Sequence, residues 1–234
     1  MLLSIFMLGL FKYMAIVLIG GTGTGKSTVG KLISMNIGYK VCEIGHIVKL
    51  MFYEEILKEY STKYKNNIDA KSFTNYYFFS NKKEYFVRKR LKYVSDNVEK
   101  NGPDYFVKKI LEKENSNKLI IIGVRNINEI NSIREKLPAS FFVALKCNED
   151  KLTKRFVNRE INRMEKQVAS NIFEKRRNVE NSWGIEDEME KCDLIINTDY
   201  LKPSDISKKI IVEYIKFMSK KKKGIIKNEK RIIH

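Results

Sequence analysis

The feature that most constrains the fold of this chain is a short apolar run followed at once by a glycine-rich loop. Residues 14–19 read MAIVLI, and residues 20–30 read GGTGTGKSTVG. A continuous apolar run of this length is typical of a strand that is buried on both faces of a parallel sheet. After the glycines, apolar residues recur at helical spacing until Gly38, a common kind of helix stop. This stretch predicts a buried strand, a tight loop and a helix, in that order.

The loop has the composition of a phosphate-binding site. Gly20, Gly25, Lys26 and Ser27 satisfy the pattern GxxxxGK[ST] between a predicted strand and a predicted helix. Glycines let the backbone amides and the helix N-terminus surround a di- or triphosphate. Lys26 is expected to reach the β and γ phosphate oxygens, and the Ser27 hydroxyl is expected to be a ligand for Mg²⁺. The predicted nucleotide-binding residues are Gly20, Gly21, Thr22, Gly23, Thr24, Gly25, Lys26, Ser27 and Thr28.

Four further apolar segments predict the rest of a sheet. They cover residues 39–44, 118–124, 140–146 and 193–199, and helical patterns separate them. Strands that alternate with helices are typical of an α/β fold in which helices cover both faces of a parallel sheet. The sequence therefore predicts an α/β fold with five parallel strands. The longest interval without a strand, residues 45–117, is predicted to be a helical insertion.

The two ends of the chain differ from its middle in composition. Residues 1–13 begin with an apolar stretch shorter than the roughly 20 residues that cross a bilayer, and they lack the flanks of a signal peptide. We expect them to lie outside the folded domain, predicted at 14–219, and we expect no membrane span. Residues 220–234 contain seven lysines or arginines and one glutamate, in a chain of net charge +17. Such a tail favours polyanions, including nucleic acid, or is a frayed and solvated end.

The cysteines and histidines exclude several kinds of site. Cys42, Cys147 and Cys192 lie far apart without a CxxC pair, so neither a zinc site nor a disulfide framework is predicted. The only histidines, His46 and His234, disfavour a histidine-centred metal site. A reduced, cytoplasmic protein is therefore the expectation. No oligomeric state follows from the sequence.

A group of arginines follows the fourth predicted strand. They are Arg155, Arg159, Arg163, Arg176 and Arg177. The first three are spaced by four residues within a predicted helix at 149–167, so they share one face of it. One interpretation is a solvated face paired with glutamates. The other is a mobile lid over about residues 155–183, with Trp183 packed beneath its hinge, whose guanidinium groups exclude water from a transferring phosphoryl group.

Six stretches along residues 14 to about 217 together resemble a known family. They are GGTGTGKSTVGKLI, EIGHIVK, NGPDYFVKKILEK, IIIGVRNINEI, FVALKCNEDKLTKRFVNRE and FEKRRNVENSWGIEDEMEKCDLIINTD. In this order they resemble the nucleoside-monophosphate-kinase-like group of P-loop small-molecule kinases, and within it the dephospho-CoA-kinase-like proteins of archaea. The resemblance implies a three-layer P-loop NTPase fold with a lid and the sheet order 2-3-1-4-5.

The resemblance also implies cofactors and roles for several side chains. ATP and Mg²⁺ would bind at the glycine-rich loop, with Lys26 acting on the phosphates and with Arg155 and Arg159 closing over them from the lid. Arg125, in GVRN, would hold the phosphate of the acceptor at the carboxyl end of a strand. The turn at 197–199 would line the adenine pocket.

The chain departs from the family pattern at two positions where relatives carry aspartate. His46 follows the second predicted strand, and Ile122 lies in the third. An aspartate there holds a Mg²⁺ water or accepts a proton, and isoleucine can do neither. His46 is a candidate catalytic residue because its ordinary pKa near 6.5 suits proton transfer, or else it is a packed or capping residue. If the missing carboxylate limits transfer, Ile122→Asp is expected to raise activity.

Two smaller departures concern charged side chains. Lys49 stands where relatives tend to carry a phosphate-clamping arginine, and Asn178 follows Arg177 where an aspartate is usual. Three carboxylates are candidates to replace the missing ones. They are Glu43, Asp104 and Glu129.

Three functions remain open from the sequence. The first is a kinase that transfers the γ-phosphoryl group of ATP to a small phosphorylated acceptor, a nucleotide or a dephospho-CoA-like molecule. The second is a nucleotide switch that binds ATP and has lost most of its transfer activity. The third is a P-loop protein that acts with nucleic acid through the tail and the basic, aromatic stretch at 72–93, although such aromatic residues more often form a helical core.

Overall fold

The computed structural model describes residues 14–64, 83–114, 118–160, 165–182 and 184–232. The predicted extension at 1–13, Arg163 and Trp183 lie outside these described residues, and what was expected of them stays a prediction. The same holds for most of the aromatic stretch that begins at residue 72.

The strands form a parallel sheet in the order β2–β3–β1–β4–β5. They are β1 (Met14–Ile19), β2 (Lys40–Glu43), β3 (Lys118–Ile122), β4 (Phe141–Lys146) and β5 (Leu194–Asn197). Each strand lies within one of the five predicted segments, and the predicted order is confirmed. β1 is central, since it pairs with β3 on one side and with β4 on the other.

Helices connect the strands and complete the predicted three-layer α/β arrangement. The described helices are α1 (Lys26–Ile37), α2 (Ile44–Tyr64), α3 (Lys83–Asn101), α4 (Tyr105–Lys113), α5 (Ile127–Lys136), α6 (Glu149–Glu160), α7 (Lys166–Asn181), α8 (Ile185–Glu190) and α9 (Pro203–Ile232). The single helix predicted at 149–167 differs from this, because α6 ends at Glu160 and α7 begins at Lys166.

The three central strands, β1, β3 and β4, are buried on both faces, as their apolar sequences predict. Residues Ala15 to Leu18 of β1 are each 0% exposed. Because successive side chains of a strand point to opposite faces, this burial requires cover on both sides. The larger core cluster joins the sheet to α1 and α9. Its buried members are Ile16, Leu18, Val29, Ile33, Ile120, Ile122, Phe141, Val143, Leu145, Ile196, Ile206, Ile210 and Tyr214.

The register of the sheet brings three loops to one edge. Leu18 of β1 pairs with Ile122 of β3 and with Val143 of β4. Because these strands are parallel, their carboxyl ends share an edge, and the loop after β1 lies between the loops after β3 and β4. Ligands of open α/β sheets bind at this kind of edge. The fold therefore places the glycine-rich loop where a site is expected.

Residues 43–115 form a second compact unit, which corresponds to the interval predicted as a helical insertion. Its described part contains α2, α3 and α4. Phe52 and Ile56 of α2 form a small core against which Tyr93 of α3 packs, with the rings of Phe52 and Tyr93 5.6 Å apart. Burial and the nearby Glu55 carboxylate raise the pKa of Tyr93 to about 12.

The last helix is longer than the sequence pattern predicts. α9 continues to Ile232 and so includes most of the basic tail, for which a frayed end was one expectation. Its inward face is fixed by Tyr214, which is 5% exposed and whose hydroxyl is 3.0 Å from that of Tyr39. Burial raises the pKa of Tyr214. No helix in the described part of the chain is both long and apolar enough to cross a membrane.

Candidate functional site

The glycine-rich loop turns tightly against β4. Gly20 has a φ of 149°, and a Cβ at this position would lie well inside contact distance of the Leu145 backbone oxygen. Glycine is required here because any side chain meets both the backbone strain and the clash. Thr24, which is 3% exposed, closes the turn by donating from its hydroxyl to Gly21 O at 2.9 Å. The loop is thus shaped by its own backbone and by its contact with the sheet.

Lys26 extends over the carbonyl oxygens of this loop. Its Nζ donates to Gly20 O at 2.5 Å and to Gly21 O at 2.7 Å. Lys26 is also the first residue of α1, whose first turn contains no acidic side chain. The ammonium charge and the positive end of the helix dipole therefore reinforce each other at the loop. Together with Ser27 in the same turn, these features fit a polyphosphate and an associated Mg²⁺.

A glutamate that the sequence patterns did not indicate contacts the loop directly. Thr22 N donates to Glu180 Oε2 at 3.0 Å, and the Thr22 hydroxyl donates to Glu180 Oε1. Glu180 lies near the end of α7, 158 positions from Thr22 along the chain. The only signal in the sequence is its spacing of three from Arg177, which is typical of an ion pair on a helix.

Arg177 connects this glutamate to the start of α6. Its Nη1 is 3.3 Å from Glu180 Oε2, and its Nε donates to Glu149 Oε1 at 2.8 Å. The hydrogen bond between Arg177 and Glu149 lowers the pKa of the Glu149 carboxyl and raises the pKa of the Arg177 guanidinium. Arg177 is one of the predicted lid arginines, and it lies at the loop: a Cβ on Gly21 would be 2.8 Å from its Nη1.

Arg155 of α6 joins the glycine-rich loop to the end of β5. Its Nη2 donates to Thr198 O at 2.8 Å, while its Nη1 lies 3.3 Å from Thr198 Oγ1 and 3.5 Å from Gly23 O. Thr198 is 1% exposed, and its hydroxyl donates to Lys146 O at 3.0 Å. Arg155 therefore links α6 to the loop and to the residue after β5, in addition to bringing a positive charge beside the loop.

Replacing Arg155 with lysine is expected to lower the free energy of unfolding by about 1–2 kcal/mol, because lysine cannot reproduce the forked contacts to Thr198. Urea unfolding of the variant measures this change. The matched control is Arg159→Lys, four residues further along α6, for which a change within about 0.5 kcal/mol is expected. Equal losses in the two variants would show that the Thr198 contacts contribute nothing specific.

Arg159 has different surroundings from Arg155, although the two share a helix. Its side chain is 55% exposed, its Nε is 3.0 Å from Glu160 Oε1, and its guanidinium lies 5.0 Å from the ring centre of Phe156. These contacts match the solvated face that was one interpretation of the arginine pattern. Its catalytic role stays a prediction.

Arg125 lies exposed just beyond the carboxyl end of β3, the strand next to β1. The residues after it begin α5: Asn126 is the N-cap, with its Oδ1 accepting from Glu129 N at 2.9 Å. Glu129, which is 5% exposed, accepts from Arg125 N at 2.5 Å in return. These two hydrogen bonds cap the start of α5 and account for the buried position of Glu129, whose role as a replacement carboxylate stays a prediction.

Ile122, where relatives carry aspartate, and two candidate replacement carboxylates, Asp104 and Glu43, lie in different settings. Ile122 is 1% exposed and belongs to the core cluster, with its side chain packed over Gly30 of α1. Asp104, 8% exposed, is the N-cap residue of α4 and pairs with Lys108 at 2.9 Å. Glu43 is the half-buried last residue of β2.

His46 and Lys49 belong to the first turns of α2, in the second compact unit. His46 is exposed. Lys49 is half-buried, its Nζ lies 5.7 Å from the ring centre of Tyr53, and burial followed by the nearby Arg90 charge lowers its pKa. The phosphate-clamping role that the resemblance implies for this position stays a prediction.

No group of three or more histidine, cysteine, aspartate or glutamate side chains in the described residues is arranged to hold a metal ion. Mg²⁺ at phosphate sites is held mainly by phosphate oxygens, water and one or two protein oxygens. That the Ser27 hydroxyl is the loop's ligand for Mg²⁺ stays a prediction.

Comparison with known proteins places this site in a family. The family model described as AAA domain matches residues 16–182, which include the loop, the predicted lid arginines and Glu180. No curated protein matches the sequence significantly.

Several solved structures are similar to this chain. A shikimate kinase from Aquifex aeolicus has 19% identity and a TM-score of 0.38, covering 85% of this chain and 94% of that one. A gluconokinase from Sinorhizobium meliloti has 15% identity and a TM-score of 0.49, covering 88% and 93%. A shikimate kinase from Acinetobacter baumannii in complex with shikimate has 18% identity and a TM-score of 0.45, covering 87% and 93%. At these scores the likenesses carry no inference about substrate.

Proposed function

We propose that this chain, which belongs to the AAA domain family, is a kinase that transfers the γ-phosphoryl group of ATP to a small phosphorylated acceptor, a nucleotide or a dephospho-CoA-like molecule. The observation that carries the proposal is the glycine-rich loop at the carboxyl edge of β1, with Lys26 extended over it and Arg155 and Arg177 beside it. Three cations around a loop built for phosphate are what phosphoryl transfer requires.

The loop residues would hold the nucleotide. The amides between Gly20 and Ser27 and the N-terminus of α1 are the donors for the phosphate chain, and Ser27 is the ligand for Mg²⁺. ATP with Mg²⁺ would supply the phosphoryl group: the acceptor oxygen would bond to the γ-phosphorus as the bond to the β,γ-bridging oxygen breaks, leaving ADP, and a hydroxyl acceptor would release its proton to water or to a nearby base. Lys26 neutralises the charge that develops on these oxygens.

The arginines would act on the other phosphate groups. Arg177 approaches the loop at Gly21, so its guanidinium is suited to the transferring group. Arg125 is exposed at the same sheet edge, after the strand adjacent to β1, and is suited to the phosphate of the acceptor. A cytoplasmic location, where ATP is available, is part of this proposal.

The test is phosphoryl transfer by the purified full-length chain. Radiolabelled γ-phosphate of ATP is followed, with Mg²⁺, into a panel of nucleoside monophosphates and dephospho-CoA, and the Lys26→Ala variant provides the background. A labelled product above that background supports the proposal. No product with any acceptor of these classes, from protein that binds Mg·ATP, contradicts it.

A second candidate, a nucleotide switch with little transfer activity, is favoured by one observation. The position where relatives carry a catalytic aspartate is Ile122, which is packed in the core and is no substitute for it. For a switch we expect micromolar Mg·ATP binding by calorimetry together with transfer and hydrolysis at background. Turnover that requires Lys26 would exclude this candidate.

A further inference from the structure

We propose that Glu180 occupies an anion-binding position of the glycine-rich loop and competes there with the polyphosphate of a nucleotide. We name the two hydrogen bonds from Thr22 N and Oγ1 to the Glu180 carboxylate the Thr22–Glu180 contact. It lowers nucleotide affinity and ties α7 to the loop. The inference rests on the nucleotide binding of the proposed function and not on its transfer step.

The Thr22–Glu180 contact uses both carboxylate oxygens. Thr22 N donates to Oε2 at 3.0 Å, and the Thr22 hydroxyl donates to Oε1. The Glu180 side chain is only 15% exposed, so the contact is largely withdrawn from water. A carboxylate bound by a loop amide and a hydroxyl has the kinds of partner that a phosphate oxygen takes in such loops. The Glu180 carboxylate therefore accepts hydrogen bonds at Thr22 that a phosphate group would otherwise accept.

Gly21 allows α7 to approach this closely. A Cβ on Gly21 would lie 2.8 Å from Arg177 Nη1 and 3.3 Å from Glu180 Oε2. The charged pair thus fills the space over the second residue of the loop. A polyphosphate that wraps around the same amides meets a carboxylate of its own charge sign, and repulsion between charges this close in a partly buried site changes affinity by about tenfold or more.

Release of Glu180 would also change the partners of Arg177. In this structure Arg177 contacts Glu149 and Glu180, one through Nε and the other through Nη1. When Glu180 moves away from the loop, Nη1 becomes available to a phosphate oxygen in the same place. The movement of Glu180 that gives the polyphosphate access to Thr22 therefore also lets Arg177 bind a phosphate oxygen.

The experiment measures the dissociation constants of Mg·ATP and of inorganic tripolyphosphate by calorimetry on the full chain. Glu180→Gln, which keeps the shape and removes the charge, is expected to bind both ligands about tenfold more tightly than the wild type at low salt. The gain should shrink only in part at about 0.5 M NaCl, because salt screens a largely buried pair of charges less than an exposed one. The matched control is Glu174→Gln on an exposed part of the same helix, for which a change of less than about twofold is expected.

Two results would overturn the inference. Affinity of Glu180→Gln within about twofold of the wild type would show that the carboxylate does not compete. Weaker binding that depends on Mg²⁺ would show that Glu180 assists the metal instead. If Glu180→Gln fails to fold, as judged by circular dichroism, Thr22→Ala is measured instead. It removes the hydroxyl half of the Thr22–Glu180 contact and is expected to tighten binding by a smaller factor. Unchanged or weaker binding by Thr22→Ala would also overturn the inference.

These outcomes separate the inference from the proposed function. Equal affinity in wild type and Glu180→Gln, with transfer activity present, would contradict competition by Glu180 and support the kinase function. Tighter binding by Glu180→Gln without transfer to any acceptor would support competition by Glu180 and contradict the kinase function. No binding of Mg·ATP by either protein overturns both.

Discussion

Replacing Ile122 with aspartate is expected to lower the free energy of unfolding by about 4 kcal/mol or more, and phosphoryl transfer should be no faster than in the wild type. The family resemblance suggests the opposite, since relatives carry aspartate at this position and its absence was expected to limit transfer. The surroundings of Ile122 decide between the two expectations.

Ile122 belongs to the core between β3 and α1. It is 1% exposed, it pairs with Leu18 in the sheet register, and its side chain lies over Gly30 so closely that a Cβ there would collide with it. Aspartate would lose this apolar packing and would bring a carboxylate among aliphatic side chains. A loss of about 4 kcal/mol is a large part of the roughly 5–15 kcal/mol that stabilises a typical domain.

Urea unfolding of Ile122→Asp and of the control Ile122→Val measures the effect, with a loss of about 0.5–1.5 kcal/mol expected for valine. Burial should raise the pKa of the introduced carboxyl above its ordinary value of about 3.9. The native state then binds the proton more tightly than the unfolded state, so the cost relative to wild type should be smaller near pH 4 and grow as the pH rises. A variant of wild-type stability with faster transfer would show that the isoleucine does displace a functional aspartate.

The sheet could be predicted closely because a strand that is buried on both faces has a recognisable sequence pattern, a continuous run of apolar residues. β1, β3 and β4 are almost entirely apolar, whereas β2 (KVCE) is not, and helical patterns separate the strand segments. The predicted strands extend too far where polar side chains near their ends accept hydrogen bonds from backbone N–H groups. The segment at 193–199 forms a strand only from Leu194 to Asn197, because Asp193 accepts from Phe142 N and Asp199 accepts from Asn148 N.

The loop could be predicted for a related reason. Gly20 is fixed by a close approach to Leu145 O and Lys26 by its place at the start of α1, so local requirements determine the motif. The contact between Thr22 and Glu180 joins residues 158 positions apart. Neither residue type nor local spacing marks such a pair, since the contact depends on how α7 packs against the sheet edge.

The arginine pattern shows the limit of reasoning from helical spacing. A spacing of four correctly implies that Arg155 and Arg159 share a face of α6, but it also separates them by about 6 Å along the helix axis. That distance is enough for Arg155 to reach Gly23 O and Thr198 O while Arg159 remains 55% exposed beside Glu160. Which arginine meets the loop is set by tertiary packing.

Replacing Lys26 with alanine is expected to reduce kcat for phosphoryl transfer by about 10²–10³, the usual cost of removing one preorganised group that stabilises the transition state. The loss should fall mainly on kcat, because charge on the transferring oxygens is greatest in the transition state. The matched control is Lys31→Ala, an exposed lysine on the same helix, whose kcat should stay within about twofold of the wild type.

The structure adds a second consequence of removing Lys26. Its Nζ donates to Gly20 O and Gly21 O, so the alanine variant also loses two hydrogen bonds that hold the loop in its turn. Affinity for Mg·ATP should therefore fall as well, though by less than kcat. Calorimetry together with steady-state rates separates the two effects. Unchanged transfer in Lys26→Ala would mean that the observed activity does not come from this loop. Equal losses of kcat in Lys26→Ala and Lys31→Ala would show that Lys26 contributes only general positive charge and has no specific role.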